Sequence, residues 1–147
     1  MGRKRNEKNL IIGYTAGVYD LFHVGHLRIL QKAKSLCDKL IVGVTSDDLV
    51  KYKYKKPVIP FNERSEIVAS TKYVDTVVAQ ETMNKMEAWD KLKFDIMFVG
   101  DDWYNTDKWQ EIESRFNTLG VKIIYFPYTK GTSSTIINEI LLDRRNS

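Results

Sequence analysis

The sequence predicts a single α/β domain: a five-stranded parallel sheet with helices on both faces. Two observations carry this. Short apolar runs, several rich in β-branched residues, alternate with amphipathic stretches of helical period along the whole chain. The length, 147 residues, suffices for one core and is short for two. Leu10–Thr15 (LIIGYT) reads as the first buried strand. Leu27, Leu30, Ala33, Lys34 and Cys37 then keep helical spacing. Leu40–Thr45 (LIVGVT) is the second strand, and NERSEIVAST is a helix that Asn62 is placed to cap. Thr76–Ala79 and Asp95–Gly100 are the third and fourth strands. TDKWQEIESRFNTLG is a helix stopped by Gly120, a residue suited to a left-handed terminator. VKIIYF is the fifth strand. STIINEILLDRR is a last helix with Arg144 and Arg145 near its negative end. No repeat, linker or low-complexity segment interrupts the pattern. Residues 1–9 read as a basic flexible tail and 10–147 as the domain.

Hydrophobic residues make up 43% of the chain and charged residues 29%, a soluble globular balance. No apolar run approaches the ~18–20 residues of a membrane span, so no membrane partner is expected, and no secretory leader is seen. Asn6 stands where a myristoylation site needs Ser or Thr. Cys37, the one cysteine, cannot pair within the chain, which suits a reducing cytoplasmic setting. The net charge of +4 gathers in MGRKRNEKN and in KYKYKK, Lys51 to Lys56. The first reads as a solvated tail. Alternating lysines and aromatics in the second suit either nucleic acid or a small phosphorylated ligand.

Both histidines of the chain fall in YDLFHVGH, at His23 and His26. In a parallel α/β sheet, ligands bind where the chain leaves the carboxyl end of a strand for a helix, and this segment holds that place after the first strand. Residues three apart share a helical face, so both imidazoles reach one spot. The N–H groups of the helix end reach it too, which makes an anion site, and Gly25 allows close backbone approach. Two such donors at a helix N-terminus suit the charge that builds on a phosphoryl group in transfer. Two plainer readings stand beside this one. A structural zinc usually wants four N or S ligands, which this chain is short of; two histidines packed without a common task is the other. GTSST (Gly131–Thr135) opens the last helix in similar fashion, as a phosphate cradle or as a simple N-cap.

AGVYDLFHVGHLRILQKAK resembles the His-x-Gly-His segment of the cytidylyltransferase-like nucleotidyltransferases, nearest to glycerol-3-phosphate cytidylyltransferases. The likeness runs from about Ile11 to Ile140, through TSDD, the lysine-rich loop, KYVD, GDDW and GTSST in that order. It implies a Rossmann-like domain, commonly a homodimer, that joins CTP to a small phosphorylated alcohol and releases pyrophosphate by direct displacement. It further implies His23, His26 and Lys55 as catalytic residues. Gly17, Val18, Tyr19, Asp20, Gly25, Asp101, Trp103, Thr129, Gly131, Thr132, Ser133, Ser134 and Thr135 would hold the nucleotide, Asp20 by fixing the histidine loop. Lys53, Lys72 and Lys85 would bind the acceptor. Mg²⁺ would arrive on CTP, without direct protein ligands. Arg64 is open between a phosphate contact and a surface ion pair.

The chain departs from the family pattern at five positions. Tyr128 stands where relatives carry a phosphate-binding arginine, with Lys130 two residues on as a substitute charge. Val18 and Tyr19 replace a Thr-Phe pair, and Lys72 replaces an arginine. Two rival functions follow. One is an adenylyltransferase on the same scaffold, acting on a sugar phosphate or a flavin. The other is a nucleic-acid-binding module, which leaves the histidines without a task.

Overall fold

The computed structural model describes residues 9–53, 56–100 and 106–127, without the side chains of residues 52 and 53. Five strands, β1 (Ile12–Gly17), β2 (Lys39–Thr45), β3 (Thr76–Gln80), β4 (Ile96–Gly100) and β5 (Lys122–Phe126), form one sheet. Every pairing in it is parallel, and the order is β3-β2-β1-β4-β5. The helices are α1 (Val24–Ser35), α2 (Asp47–Lys53), α3 (Phe61–Ala69), α4 (Lys85–Leu92) and α5 (Asp107–Thr118). Among the described residues no helix is long and apolar enough to cross a membrane.

Alternation along the strands sends side chains to two cores. Leu40, Val42 and Val44 of β2 meet Leu30 and Ala33 of α1 and Val68 of α3 on one face. Tyr14, Ile41 and Met97 meet Phe94, Trp109 and Phe116 on the other, with Trp89 and Leu92 of α4 against them. Tyr14 stacks on Phe94 at 4.9 Å, and a Cβ at Gly43 would come within 2.5 Å of the Tyr14 hydroxyl, so glycine is what the ring's position requires there. Cys37 is half-buried, with its thiol donating to Ala33 O at 3.3 Å.

The amino ends of the strands are tied by one repeated device. Asp38, Asp75 and Asp95 each stand just before a strand. Each donates its backbone N–H to a neighbouring strand's carbonyl and accepts that same residue's N–H on its carboxylate. The partners are Ile11, Leu40 and Ile12, with carboxylate distances of 2.8–2.9 Å. Lys34 adds a bond to Asp75 at 2.7 Å. The strand ends are thereby satisfied on one edge, and the carboxyl edge is left for the site.

The helical reading needs correcting in places. α3 is capped at Pro60, not Asn62, with no side-chain cap of its own; Asp47 supplies the acceptor instead, taking the Phe61 N–H at 3.2 Å. Two helices were not anticipated. α2 begins after Ser46, whose hydroxyl accepts the Leu49 N–H, and it takes in the start of the lysine-rich stretch. α4 begins after Asn84, whose carboxamide oxygen accepts two N–H groups. By contrast, Gly120 is left-handed at φ 78°, as expected of a terminator. The last helix and most of the basic tail lie outside the described residues.

Candidate active site

Sheet order places the topological switch point between β1 and β4, the position where open α/β sheets bind ligands. A cavity of about 390 Å³ opens there. It is lined by Gly17, Val18, Tyr19, Asp20 and His26 from the exit of β1, by Gln80 and Met83 after β3, by Gly100 at the end of β4, and by Trp109 and Ile112 of α5.

The turn from β1 to α1 is strained. Tyr19 and Leu21 both take left-handed backbone conformations, at φ 55° and 52°, costing roughly 1–2 kcal/mol each for non-glycine residues. Asp20 lies between them, buried, and is what the strain positions. Its two carboxylate oxygens accept the N–H groups of Val58 and Ile59 at 2.8 and 2.9 Å. The histidine turn is thus joined to the segment that follows the lysine-rich stretch.

Arg64 completes this junction. It is fully buried and donates to Val18 O, Thr45 O, Ile59 O and the Asp47 carboxylate at 2.6–2.9 Å. It is therefore neither a phosphate contact nor a surface ion pair, but a four-way tie between the exits of β1 and β2 and both flanks of the lysine-rich stretch. Burial pushes the Asp47 carboxyl up, and the bonds from Arg64 and the Phe61 N–H outweigh that, holding it below its ordinary value.

The histidines form a reciprocal cap on α1. His23 is the N-cap residue, and its Nδ1 accepts the Gly25 N–H at 3.0 Å. His26, at the third helical position, accepts the His23 N–H on its own Nδ1 at 3.2 Å. Their rings stack with centroids 3.9 Å apart. A ring that accepts at Nδ1 carries its neutral-form proton on Nε2. Each imidazole thus takes a backbone N–H at one edge and presents an N–H at the other, carrying the donor character of the helix end outward. This modifies the expectation of bare backbone N–H groups around Gly25: that N–H is already taken, by His23. Burial lowers the pKa of His26 to about 4, helped by the neighbouring His23 and opposed by Asp20; burial lowers His23 as well. The pair rests neutral. Tyr19 packs its buried ring edge-on to His26 at 5.3 Å and stays protonated, burial raising its pKa.

Around these donors the cavity is cationic. Lys56, Lys85 and Lys108 line it, and among the described lining residues Asp20 is the only carboxylate. Among the described residues no group of three or more metal-ligating side chains forms. Trp109, Phe98 and Phe126 add apolar surface to the lining.

The expected site residues divide accordingly. Gly17, Val18, Tyr19, Asp20, His26 and Lys85 come together on the cavity, while His23 and Gly25 support it from the helix cap. Lys72 does not join them. It precedes β3, at the amino edge of the sheet, where its ammonium lies 5.3 Å from the Tyr73 ring centroid. Lys55, Asp101, Trp103, Tyr128, Thr129, Lys130, Gly131, Thr132, Ser133, Ser134, Thr135 and the side chain of Lys53 lie outside the described residues. Lys56 falls within the lysine-rich stretch already singled out, though Lys53 and Lys55 were its named members; Gln80, Lys108 and Trp109 were not foreseen. A lysine in a helix's first turn reads as surface, a helical tryptophan as core, and a glutamine closing a strand carries no periodic signal.

A family model described as cytidylyltransferase-like matches residues 14–140. This chain belongs to the cytidylyltransferase-like family. Relatives within reach of this membership differ in reaction. A glycerol-3-phosphate cytidylyltransferase from Bacillus subtilis is 33% identical over 129 residues, covering 85% of this chain and 92% of its own. An FAD synthase from Thermococcus kodakarensis is 32% identical over 148 residues, covering 96% and 97%. In three dimensions, the lipopolysaccharide core biosynthesis protein from Thermoplasma volcanium GSS1 superposes with a TM-score of 0.70 at 28% identity, covering 84% of this chain and 100% of that one. The Rossmann-like architecture and the nucleotidyltransferase class of this cytidylyltransferase-like chain rest on these matches together.

Proposed function

We propose that the chain transfers CMP from CTP to a small phosphorylated alcohol, glycerol 3-phosphate being the best candidate, giving a CDP-alcohol and pyrophosphate. A phosphate oxygen of the acceptor attacks the α-phosphorus, the bond to the β-phosphate oxygen breaks, and the leaving electron pair departs with pyrophosphate. The observation that carries the reading is the pair of stacked imidazoles engaged at Nδ1, which leaves Nε2–H as the free edge of each ring, with His26 lining a cationic cavity. Donors fixed in advance stabilise charge in the transition state without reorganising. Lys56 and Lys85 lower the cost of bringing two anions together in a poorly solvated space, a task to which Lys53 and Lys55 add. Mg²⁺ supplies further charge neutralisation when bound on the triphosphate. Asp20 fits that division of work, since both its oxygens are already engaged by backbone N–H groups. GTSST is read as the cradle of the outer phosphates, and GDDW as part of the nucleotide site. We read the working form as a cytoplasmic homodimer.

A second reading, AMP transfer from ATP to a flavin phosphate, is supported by the FAD synthase similarity, which spans nearly the full length of both chains. Both use a nucleoside triphosphate and a phosphate monoester. The purified chain is to be incubated with Mg²⁺ and CTP or ATP against glycerol 3-phosphate, other phosphorylated polyols and FMN, with pyrophosphate release as the readout. Turnover with CTP and a phosphorylated alcohol is expected. Turnover confined to ATP and FMN favours the second reading. Oligonucleotide binding that weakens steeply with salt, without any nucleotide turnover, overturns both.

A further inference from the structure

We infer that Gln80, held from behind by Thr45, is a specificity-determining residue that hydrogen-bonds a neutral hydroxyl of the acceptor. The inference rests on the proposed transfer to a phosphorylated alcohol and names the part of the cavity that reads the alcohol.

Gln80 closes β3 opposite Thr45, the last residue of β2 and its partner in register. Only 7% of Gln80 is exposed, yet it lines the cavity. The fully buried Thr45 hydroxyl donates to the Gln80 carboxamide oxygen at 2.6 Å, which fixes the orientation of the amide. Its nitrogen then has only the Met83 thioether, at 4.0 Å, among the described residues. A thioether is a weak acceptor, and two amide hydrogens so placed in a buried wall are poorly satisfied. A ligand oxygen in the cavity supplies what the fold does not.

The chemistry of the surroundings selects that oxygen. Lys56 and Lys85 suit phosphate, whereas Gln80 is neutral, has the Met83 thioether next to its amide, and shares the cavity lining with the apolar Val50. An uncharged hydroxyl suits this wall; a second phosphate does not. β3 lies two strands from β1 in the sheet, about 10 Å at the usual inter-strand spacing. A ligand whose phosphate reacts at the histidine turn therefore reaches Gln80 with its carbon chain, along the carboxyl ends of β2 and β3.

The test compares kcat/KM for glycerol 3-phosphate with that for 3-hydroxypropyl phosphate and propyl phosphate, which lack one and both hydroxyls, in the wild-type chain and in Gln80→Leu. The wild-type preference for the hydroxylated acceptor is expected to fall about tenfold in Gln80→Leu, the usual effect of one hydrogen bond to a bound hydroxyl. If Gln80→Leu does not fold, because Thr45 is left without its partner, Thr45→Val/Gln80→Leu removes both polar groups and carries the same comparison. An unchanged preference, even with all three acceptors slowed alike, means a purely structural Gln80 and overturns the subsite while leaving the reaction standing. A wild-type chain that turns over all three acceptors without preference overturns it as well. No turnover with any phosphorylated alcohol overturns the proposed reaction itself, and the subsite with it.

Discussion

The backbone N–H of His23 donates to Nδ1 of His26, 3.2 Å away, while His23 itself caps the helix through the Gly25 N–H at 3.0 Å. A capping box of this kind is ordinarily built from Ser or Thr with Glu or Gln, and histidine is not among the favoured cap residues. Two imidazoles occupying those positions sacrifice helix-capping strength for N–H groups on the far edge of each ring.

That exchange predicts a separation of stability from activity at His23. Replacing it in His23→Asn supplies a better cap, so unfolding in urea is expected to show equal or higher stability, within about 1 kcal/mol. Pyrophosphate release is expected to fall by roughly 10² or more, because the shorter carboxamide has no N–H where the imidazole Nε2–H stood. Loss of stability together with unchanged turnover would reverse both assignments.

The neutral resting state of the pair shows in stability against pH. His26 titrates at about 4 in the folded chain and at about 6.5 when unfolded. Below pH ~6.5 the unfolded chain binds a proton that the folded chain does not. Stability is therefore expected to decline as pH falls from about 6.5 to about 4, with no further loss from this group below that. Asp47 and Asp75 act in a lower window: Arg64 holds one carboxyl below its ordinary value and Lys34 the other, in each case against the upward push of burial. Their contribution disappears only as pH falls through those lowered values. Denaturant midpoints measured from pH 8 to pH 4 should drop more for the wild type than for His26→Gln.

Arg64 is expected to be the costliest single truncation among the charged residues near the site. Arg64→Leu leaves the carbonyls of Val18, Thr45 and Ile59 without their donor and Asp47 without its partner, a loss of about 3–5 kcal/mol. Arg64→Lys keeps one or two of the four bonds and should fall between. Arg115→Leu, which breaks an exposed pair with Glu111, should change stability by less than about 1 kcal/mol. Urea unfolding of the three variants side by side makes the comparison, and equal losses at Arg64 and Arg115 would contradict it.

Most of the fold could be read from periodicity, because all five described strands are apolar runs of the right length between helical stripes. α2 and α4 were hidden for a physical reason. They are 7 and 8 residues long, too short to show much helical period, and only the cap residues Ser46 and Asn84 mark them. The histidine pair was legible because the strand-to-helix turn fixes where those residues must be. Arg64 was not, since burial of a guanidinium depends on carbonyls from Val18 and Thr45, brought together only by the sheet. Lys72 belongs to a family motif, yet as a residue entering β3 it stands at the edge opposite to one leaving β1, which strand-helix alternation alone does not weigh.

His26→Gln keeps the acceptor that the helix cap needs while moving the outward N–H donor off the imidazole edge onto a flexible, differently placed carboxamide. Glutamine is a favoured residue at the third position of a capping box, so its carboxamide oxygen can take over the His23 N–H and preserve the helix end. Turnover of CTP with the best phosphorylated alcohol, followed by pyrophosphate release, is the decisive measurement. A fall of roughly 10²–10³ in kcat with an unchanged denaturation midpoint at pH 8 is the predicted result. A correctly folded His26→Gln that works at close to the wild-type rate would contradict it.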